Sequence, residues 1–233
     1  MIDLTSEMAG LWAALGPAPG HRGRVIQIAA ANTGEGVSTV AREYARLAAV
    51  RARRPVWLID ADLAQQGQLD AIAAAPDRFG QVGSAAQASP DGSCFYEVSP
   101  RLTGRDGKPV AAVRLLSARP CLGGRLWVTR FATERLRSGQ RAEAIPDPRY
   151  WDALRAHADC IVIDAPAADR NDLAITLAPF VDATVLVVAG EESAVGESAA
   201  LRDEVEAVGG RIAGLVVNRS TYRAPAFLKR LGG

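Results

Sequence analysis

Five nearly uninterrupted apolar runs divide the chain: Val25–Ala30, Pro55–Ile59, Cys160–Ile163, Ala183–Ala189 and Ile212–Val217. Runs of this length without polar alternation read as strands buried on both faces. Between them lie segments with helical spacing. Val40, Tyr44, Leu47 and Val50 form an apolar stripe along Val40–Arg51. Arg51, Arg53 and Arg54 follow, where cations suit a helix C-terminus. Pro148 opens a helix over Arg149–Ala156, a short one covers Asn171–Leu177, and Ser193–Val208 is closed by Gly209-Gly210. Near the start, Ser6 is placed to cap a helix over Glu7–Leu15, with Met8, Leu11, Trp12 and Leu15 on one face. Such a face needs covering, so this arm is expected to pack on the domain. The pattern predicts an α/β fold: a mostly parallel sheet with helices on both faces.

From about residue 77 to 148 the pattern loosens, and Gly, Ser, Pro and Asp become frequent. Cys94–Val98, Val110–Leu116 and Leu126–Phe131 look strand-like. The turn-rich Gly104–Lys108 predicts an inserted β-hairpin between the first two. Leu126–Phe131 is a candidate to return to the main sheet. The 233 residues suit one domain over 1–233, with a helical arm at 1–20 and the insertion within it.

Composition narrows the picture a little. A formal charge of +1 gives no case for a nucleic-acid partner or an anionic membrane surface. No apolar run approaches the ~20 residues of a membrane span, and residues 1–7 lack the pattern of a signal peptide. Cys94, Cys121 and Cys160 are far apart and lack metal-ligand spacing, which reads as free thiols in a reducing cytoplasm. His21 and His157 have no partner pattern. Lysine occurs only at positions 108 and 229, and arginine carries the positive charge.

The chemistry concentrates at strand ends. After Val25–Ala30 comes Ala31-Asn32-Thr33-Gly34-Glu35-Gly36-Val37-Ser38-Thr39, then a helix. Strand, glycine-rich loop and helix is the setting of a phosphate-binding loop, G-x-x-x-x-G-K-[ST]. Gly36 and Ser38 fit; Ala31 replaces the first glycine and Val37 the lysine. The second strand ends in Asp60-Ala61-Asp62, and the third in Asp164-Ala165-Pro166. Nucleotide hydrolysis needs backbone N–H groups around the phosphates, and a hydroxyl with a carboxylate on Mg²⁺. Gly34, Glu35, Gly36, Val37, Ser38 and Thr39 are the candidate cofactor-binding residues. Ser38, Asp60 and Asp164 are the candidate metal ligands, and Asp60, Asp62 and Asp164 the candidate catalytic carboxylates. Three readings of the loop stay open: a plain connecting turn, a vestigial site that still admits nucleotide, and a closed one.

With these three motifs, the chain resembles the bacterial tyrosine kinases of polysaccharide export, within the ParA/MinD group of phosphate-loop ATPases. That family's loop ends Gly-Glu-Gly-Lys-Ser-Thr; here it is Gly34-Glu35-Gly36-Val37-Ser38-Thr39. Its second and third motifs end apolar runs in Asp-x-Asp and Asp-x-Pro, as at Asp60-Ala61-Asp62 and Asp164-Ala165-Pro166. The resemblance covers about 24–75 and 149–220. It implies a P-loop NTPase fold and ATP or ADP with Mg²⁺ as cofactor, with Asn218, at the end of the last strand, as the adenine-reading residue. The implied partner is the cytoplasmic segment of a membrane polysaccharide co-polymerase, with a homo-oligomer also implied. The implied location is the cytoplasm, at the inner face of the membrane when recruited by that partner.

The departures matter equally. Val37 removes the charge facing the β- and γ-phosphates, a loss of at least ~10²-fold in rate by analogy with one preorganised donor. Arg24 and Arg42, beside Lys108 and Lys229, are the candidate substitute cations, without motif support. The family's arginine two residues after Asp-x-Asp is Ala64 here; its tyrosine cluster is reduced to Tyr222; its Glu-x-x-Arg-x-x-Arg assembly pattern reads Glu7, Gly10, Ala13. Phe227–Leu231 is too short to hold a membrane alone. The expectation is a degenerate kinase acting as a regulatory or scaffolding subunit in exopolysaccharide or capsule biosynthesis. An active MgATP-dependent ATPase or tyrosine autokinase with another cation, and a ParA/MinD-like positioning switch, are the alternatives.

Overall fold

The computed structural model describes residues 4–16, 22–101, 112–190 and 194–218. The turn at 104–108, His21, both lysines, Tyr222 and 227–231 lie outside the described residues.

Helix α1 (Thr5–Leu15) precedes β1 (Arg24–Ala29), α2 (Val37–Arg51) and β2 (Val56–Asp60). Two short helices follow, α3 (Gln68–Ala73) and α4 (Pro76–Phe79). The middle of the chain supplies β3 (Ala86–Gln87), β4 (Tyr96–Ser99), β5 (Leu116–Cys121), β6 (Leu126–Phe131) and β7 (Arg141–Ala144). The last third is α5 (Pro148–His157), β8 (Cys160–Asp164), α6 (Leu173–Leu177), β9 (Ala183–Ala189), α7 (Ala194–Ala207) and β10 (Ile212–Asn218).

Eight strands form the main sheet in the order β10-β9-β1-β8-β2-β6-β5-β3. The pairs from β10 to β6 are parallel, and β5 and β3 add antiparallel edges. Alternate residues of the apolar runs feed two cores. Ile26, Ile28, Leu58, Val162 and Val185 meet α1 and α2 on one face. Val25, Ile59, Ile161, Ile163 and Leu186 meet α5, α6 and α7 on the other. The expected doubly covered parallel sheet is therefore present. The arm packs as expected: Met8 is buried, and Trp12 lies tilted against Tyr44 with centroids 6.2 Å apart.

Two local expectations change. Ser6 lies inside α1 and makes no cap; its hydroxyl donates to the neighbouring Glu7 carboxylate. The inserted strands also pair differently. β4 pairs with β7, not with 110–116, and the pair forms a separate two-stranded antiparallel sheet. Residues 112–115 make a 3₁₀ turn, and β5 runs back along β6 as a hairpin that widens the main sheet. The reason is burial. β6 continues the parallel sheet beside β2 and presents a long edge, which β5 covers through six register pairs. Leu126–Phe131 does return to the main sheet.

An aromatic cluster joins the small sheet to the domain. The Phe95 ring lies 5.2 and 5.3 Å from those of Tyr150 and Trp151 on α5. Phe95 is fully buried. Truncating it leaves a cavity that both layers border, so Phe95→Ala is expected to cost about 3–5 kcal/mol. The shift in the urea midpoint at unchanged slope would measure it.

Candidate functional site

Three strand ends finish level. In the β1–β8 register Ile28 pairs with Asp164, and in the β2–β8 register Asp60 pairs with Asp164. The glycine-rich loop leaves β1 at that same edge. Parallel pairing alone thus brings the three sequence motifs to one place, the carboxyl end of the sheet.

The loop is braced from behind. The Glu35 carboxylate is buried and accepts hydrogen bonds from the N–H groups of Asn32 (3.0 Å) and Ala189 (3.2 Å). The Asn218 side-chain amide donates to the Glu35 carbonyl oxygen at 2.7 Å. Glu35 and Asn218, both expected to hold cofactor, therefore hold the loop itself against the ends of β9 and β10. Gly36 has φ +103°, and a Cβ there would lie 2.1 Å from the Asn218 amide nitrogen. Only glycine meets both demands without strain. On the other flank, Thr33 donates through its N–H and its hydroxyl to the Asp169 carboxylate, both at 2.9 Å.

Val37 is the first residue of α2. Its side chain packs into the α2-side core with Ile28, Ala30 and Val40, and its edge lines a cavity of about 320 Å³ in front of the loop. Gly34, Gly36, Ser38, Thr39, Asp60, Asp62 and Asp164 border the same cavity. The cradle geometry is retained, and the position that would carry the charge belongs to the hydrophobic core.

The carboxylates are organised by Gln68, a residue without motif support. Asp60 accepts from the N–H groups of Gly67 and Gln68 at 2.9 Å. The Gln68 side-chain amide donates to Asp164 at 2.6 Å and to the Ser38 carbonyl at 2.8 Å, while its oxygen accepts from Arg42 at 3.1 Å. Burial pushes the Asp164 carboxyl up to about 7, helped by the nearby Asp60 and opposed by the Gln68 amide and the nearby Ser38 hydroxyl. Burial likewise raises Asp60 to about 6, against the backbone N–H groups of Gln68 and Gly67. Asp62 is different: it closes its own turn on Ala64 and Gln65, and its other oxygen pairs with Arg170.

The residues fit a magnesium-bound phosphate. The Asp164 Oδ1 atom is buried without a hydrogen-bond partner, and the exposed Ser38 lies in the first turn of α2. The first amides of a helix attract anions. Ser38 and Asp164 would hold the ion, which would supply charge for the phosphate oxygens. Asp60 borders the same cavity, and its Oδ2 also braces the turn into α3 through the Gly67 and Gln68 N–H groups. Among the described residues no group of three or more His, Cys, Asp or Glu is placed to hold a metal by itself, so phosphate oxygens or water must complete the shell.

The considered substitute cations separate. Arg24 sits at the far end of β1, with its guanidinium on the carbonyls of Leu15 and Gly16. Arg42 is turned to Gln68 and does not border the cavity. Arg170 does border it. Sequence reading missed Gln68, Asp169 and Arg170. The one available signal was position: each lies within eight residues after a motif aspartate.

The raised carboxyls have a consequence for stability. A folded carboxyl with a raised value keeps its proton to higher pH than in the unfolded chain. The contribution of Asp60 and Asp164 to stability should be highest below about pH 4, fall as pH rises towards about 7, and level off above that. Asp164→Asn should remove much of that fall and stabilise the protein at pH 8 by on the order of 1–2 kcal/mol. Denaturant titrations at pH 5 and pH 8 would show it; an equal loss at both would refute the protonation account. Gly36→Ala should destabilise by about 1–3 kcal/mol, with part recovered in Gly36→Ala/Asn218→Ala, where the clash is gone and the φ strain remains.

No protein-family model and no curated protein sequence matches the chain. Solved structures do. The kinase domain of the Escherichia coli tyrosine kinase ETK is similar over 89% of this chain and 72% of its own, with a TM-score of 0.57 and 16% identity. The chimerical protein CapA2B2 is similar over 93% and 85%, with a TM-score of 0.56 and 16% identity. The septum site-determining protein MinD from Pyrococcus horikoshii OT3, complexed with Mg-ADP, is similar over 89% and 76%, with a TM-score of 0.53 and 17% identity. The chain has the P-loop NTPase fold shared by bacterial tyrosine kinase domains and MinD-type ATPases.

Proposed function

We propose that this chain is a kinase-like regulatory or scaffolding subunit that binds a magnesium nucleotide in the loop cavity and does not phosphorylate tyrosine. The observation that carries this reading is Val37. Its side chain is part of the core, while the cradle around it keeps its glycines, its hydroxyl and an unpartnered buried carboxylate oxygen. A protein that merely needed a turn here would not need Gly36 wedged against Asn218 and Glu35 bonded to two strand ends. A protein that transferred phosphate would need concentrated charge at the γ-phosphate, and Val37 supplies none. The raised Asp164 carboxyl adds to this: a divalent ion must displace a proton there near neutral pH.

The likeness to bacterial tyrosine kinase domains supports a role in exopolysaccharide or capsule export, through contact with the cytoplasmic segment of a membrane co-polymerase. Among the described residues no helix is long and apolar enough to cross a membrane, so membrane recruitment in this reading runs through the partner.

MgADP or MgATP at ~100 times its dissociation constant should stabilise the protein by ~2.7 kcal/mol, roughly 5–10 °C in melting temperature for a chain of this size. Phosphate release from ATP should stay at background. Release above background that Asp164→Asn abolishes would replace this reading with an active ATPase or autokinase. A flat melting response to both nucleotides would remove nucleotide binding altogether.

A further inference from the structure

Arg170 is an arginine on the wall of the phosphate cavity, and no motif accounts for it. It follows β8 by six residues, in the segment that runs beside the glycine-rich loop. That segment is fixed to the loop by backbone bonds. Ala168 N–H donates to the Ala30 carbonyl and Asp169 N–H to the Ala31 carbonyl, both at 2.9 Å. The Asp169 carboxylate then takes the two Thr33 donors. The backbone next to Arg170 is therefore held on the loop itself. Its side chain, 29% exposed, crosses to Asp62, the last motif residue after β2, and both residues border the cavity.

We propose that Arg170 is the phosphate-binding cation of this site, standing in for the charge that Val37 lacks. The inference rests on the reading of the cavity as a nucleotide site. A guanidinium has five N–H donors in a fixed fork. One edge can stay on Asp62 while the other meets phosphate oxygens in the bidentate way that arginine favours. Asp62 then acts as a tether that aims Arg170, and its charge partly offsets that of the guanidinium. The contact is approached from the side of the cavity, because the residue comes from the β8 loop. A lysine at position 37 would have reached it along the α2 axis. Such a contact holds phosphate in the bound state, which suits a nucleotide-gated subunit.

The test is calorimetric titration of ADP without Mg²⁺, so that carboxylate–metal contacts play no part. Wild type, Arg170→Ala, Arg170→Lys and Asp62→Asn would be compared, each first shown by circular dichroism to be folded. Arg170→Ala should weaken ADP at least ~10-fold, the size of one charged hydrogen-bond pair. Arg170→Lys should recover part of that loss. Asp62→Asn should bind ADP more tightly than wild type, because the asparagine oxygen still accepts from Arg170 and keeps it aimed while the competing negative charge is gone. If Arg170→Ala binds as wild type does, the proposal is wrong and the nucleotide reading stands. If Asp62→Asn weakens ADP as much as Arg170→Ala, the ion pair is only a structural tether and the proposal is equally wrong. If wild type binds no ADP with or without Mg²⁺, the nucleotide reading fails and takes the proposal with it.

Discussion

The hydrogen bonds of one glutamine hold this site together. Asp60 and Asp164 are register partners on adjacent strands, both buried, and two ionised carboxylates in that position would repel. Gln68 resolves the conflict from both ends. Its backbone N–H binds one acid and its side-chain amide the other, and the same amide reaches the phosphate loop at the Ser38 carbonyl. Three motifs from three separate strands thereby become one rigid unit. Burial raises both carboxyls, Asp60 to about 6 and Asp164 to about 7. The two acids and the loop are joined through that one side chain.

The second constraint is the rear support of the loop. Glu35 and Asn218 come from residues a nucleotide reader would assign to the ligand, and here both serve the loop's own backbone. The loop keeps its shape without the positive charge that ordinarily draws phosphate into it. The loop holds this geometry with valine at position 37, because contacts behind it fix its backbone. Val37 adds to this by packing into the α2-side core, so the substitution contributes to the fold while removing charge from the site.

How much of this could be read from residues differs along the chain. The parallel core was legible: Val25–Ala30, Pro55–Ile59, Cys160–Ile163, Ala183–Ala189 and Ile212–Val217 each fall on a strand, since continuous apolar runs have few other places to go. The middle was less so. Cys94–Val98 and Val110–Leu116 had comparable strand character, and pairing between them looked natural over a turn-rich link. Pairing energy comes from cross-strand contacts and burial, which local sequence does not state. The β6 edge took β5, and β4 was left to find β7.

The sequence by itself determined the fold class, the three strand-end motifs and the valine at position 37, because each is written in apolar runs and short local patterns. Only the tertiary structure decided what those motifs do to one another. It alone showed that Gln68 ties the acids to the loop, that Asn218 and Glu35 support the loop's backbone, and that Arg170, rather than Arg24 or Arg42, borders the cavity in front of the loop. The reason is sequence separation. Asp164 and Gln68 meet across 96 positions, and Arg170 and Asp62 across 108. Contacts of that span depend on strand order and register, which no local stretch of residues encodes.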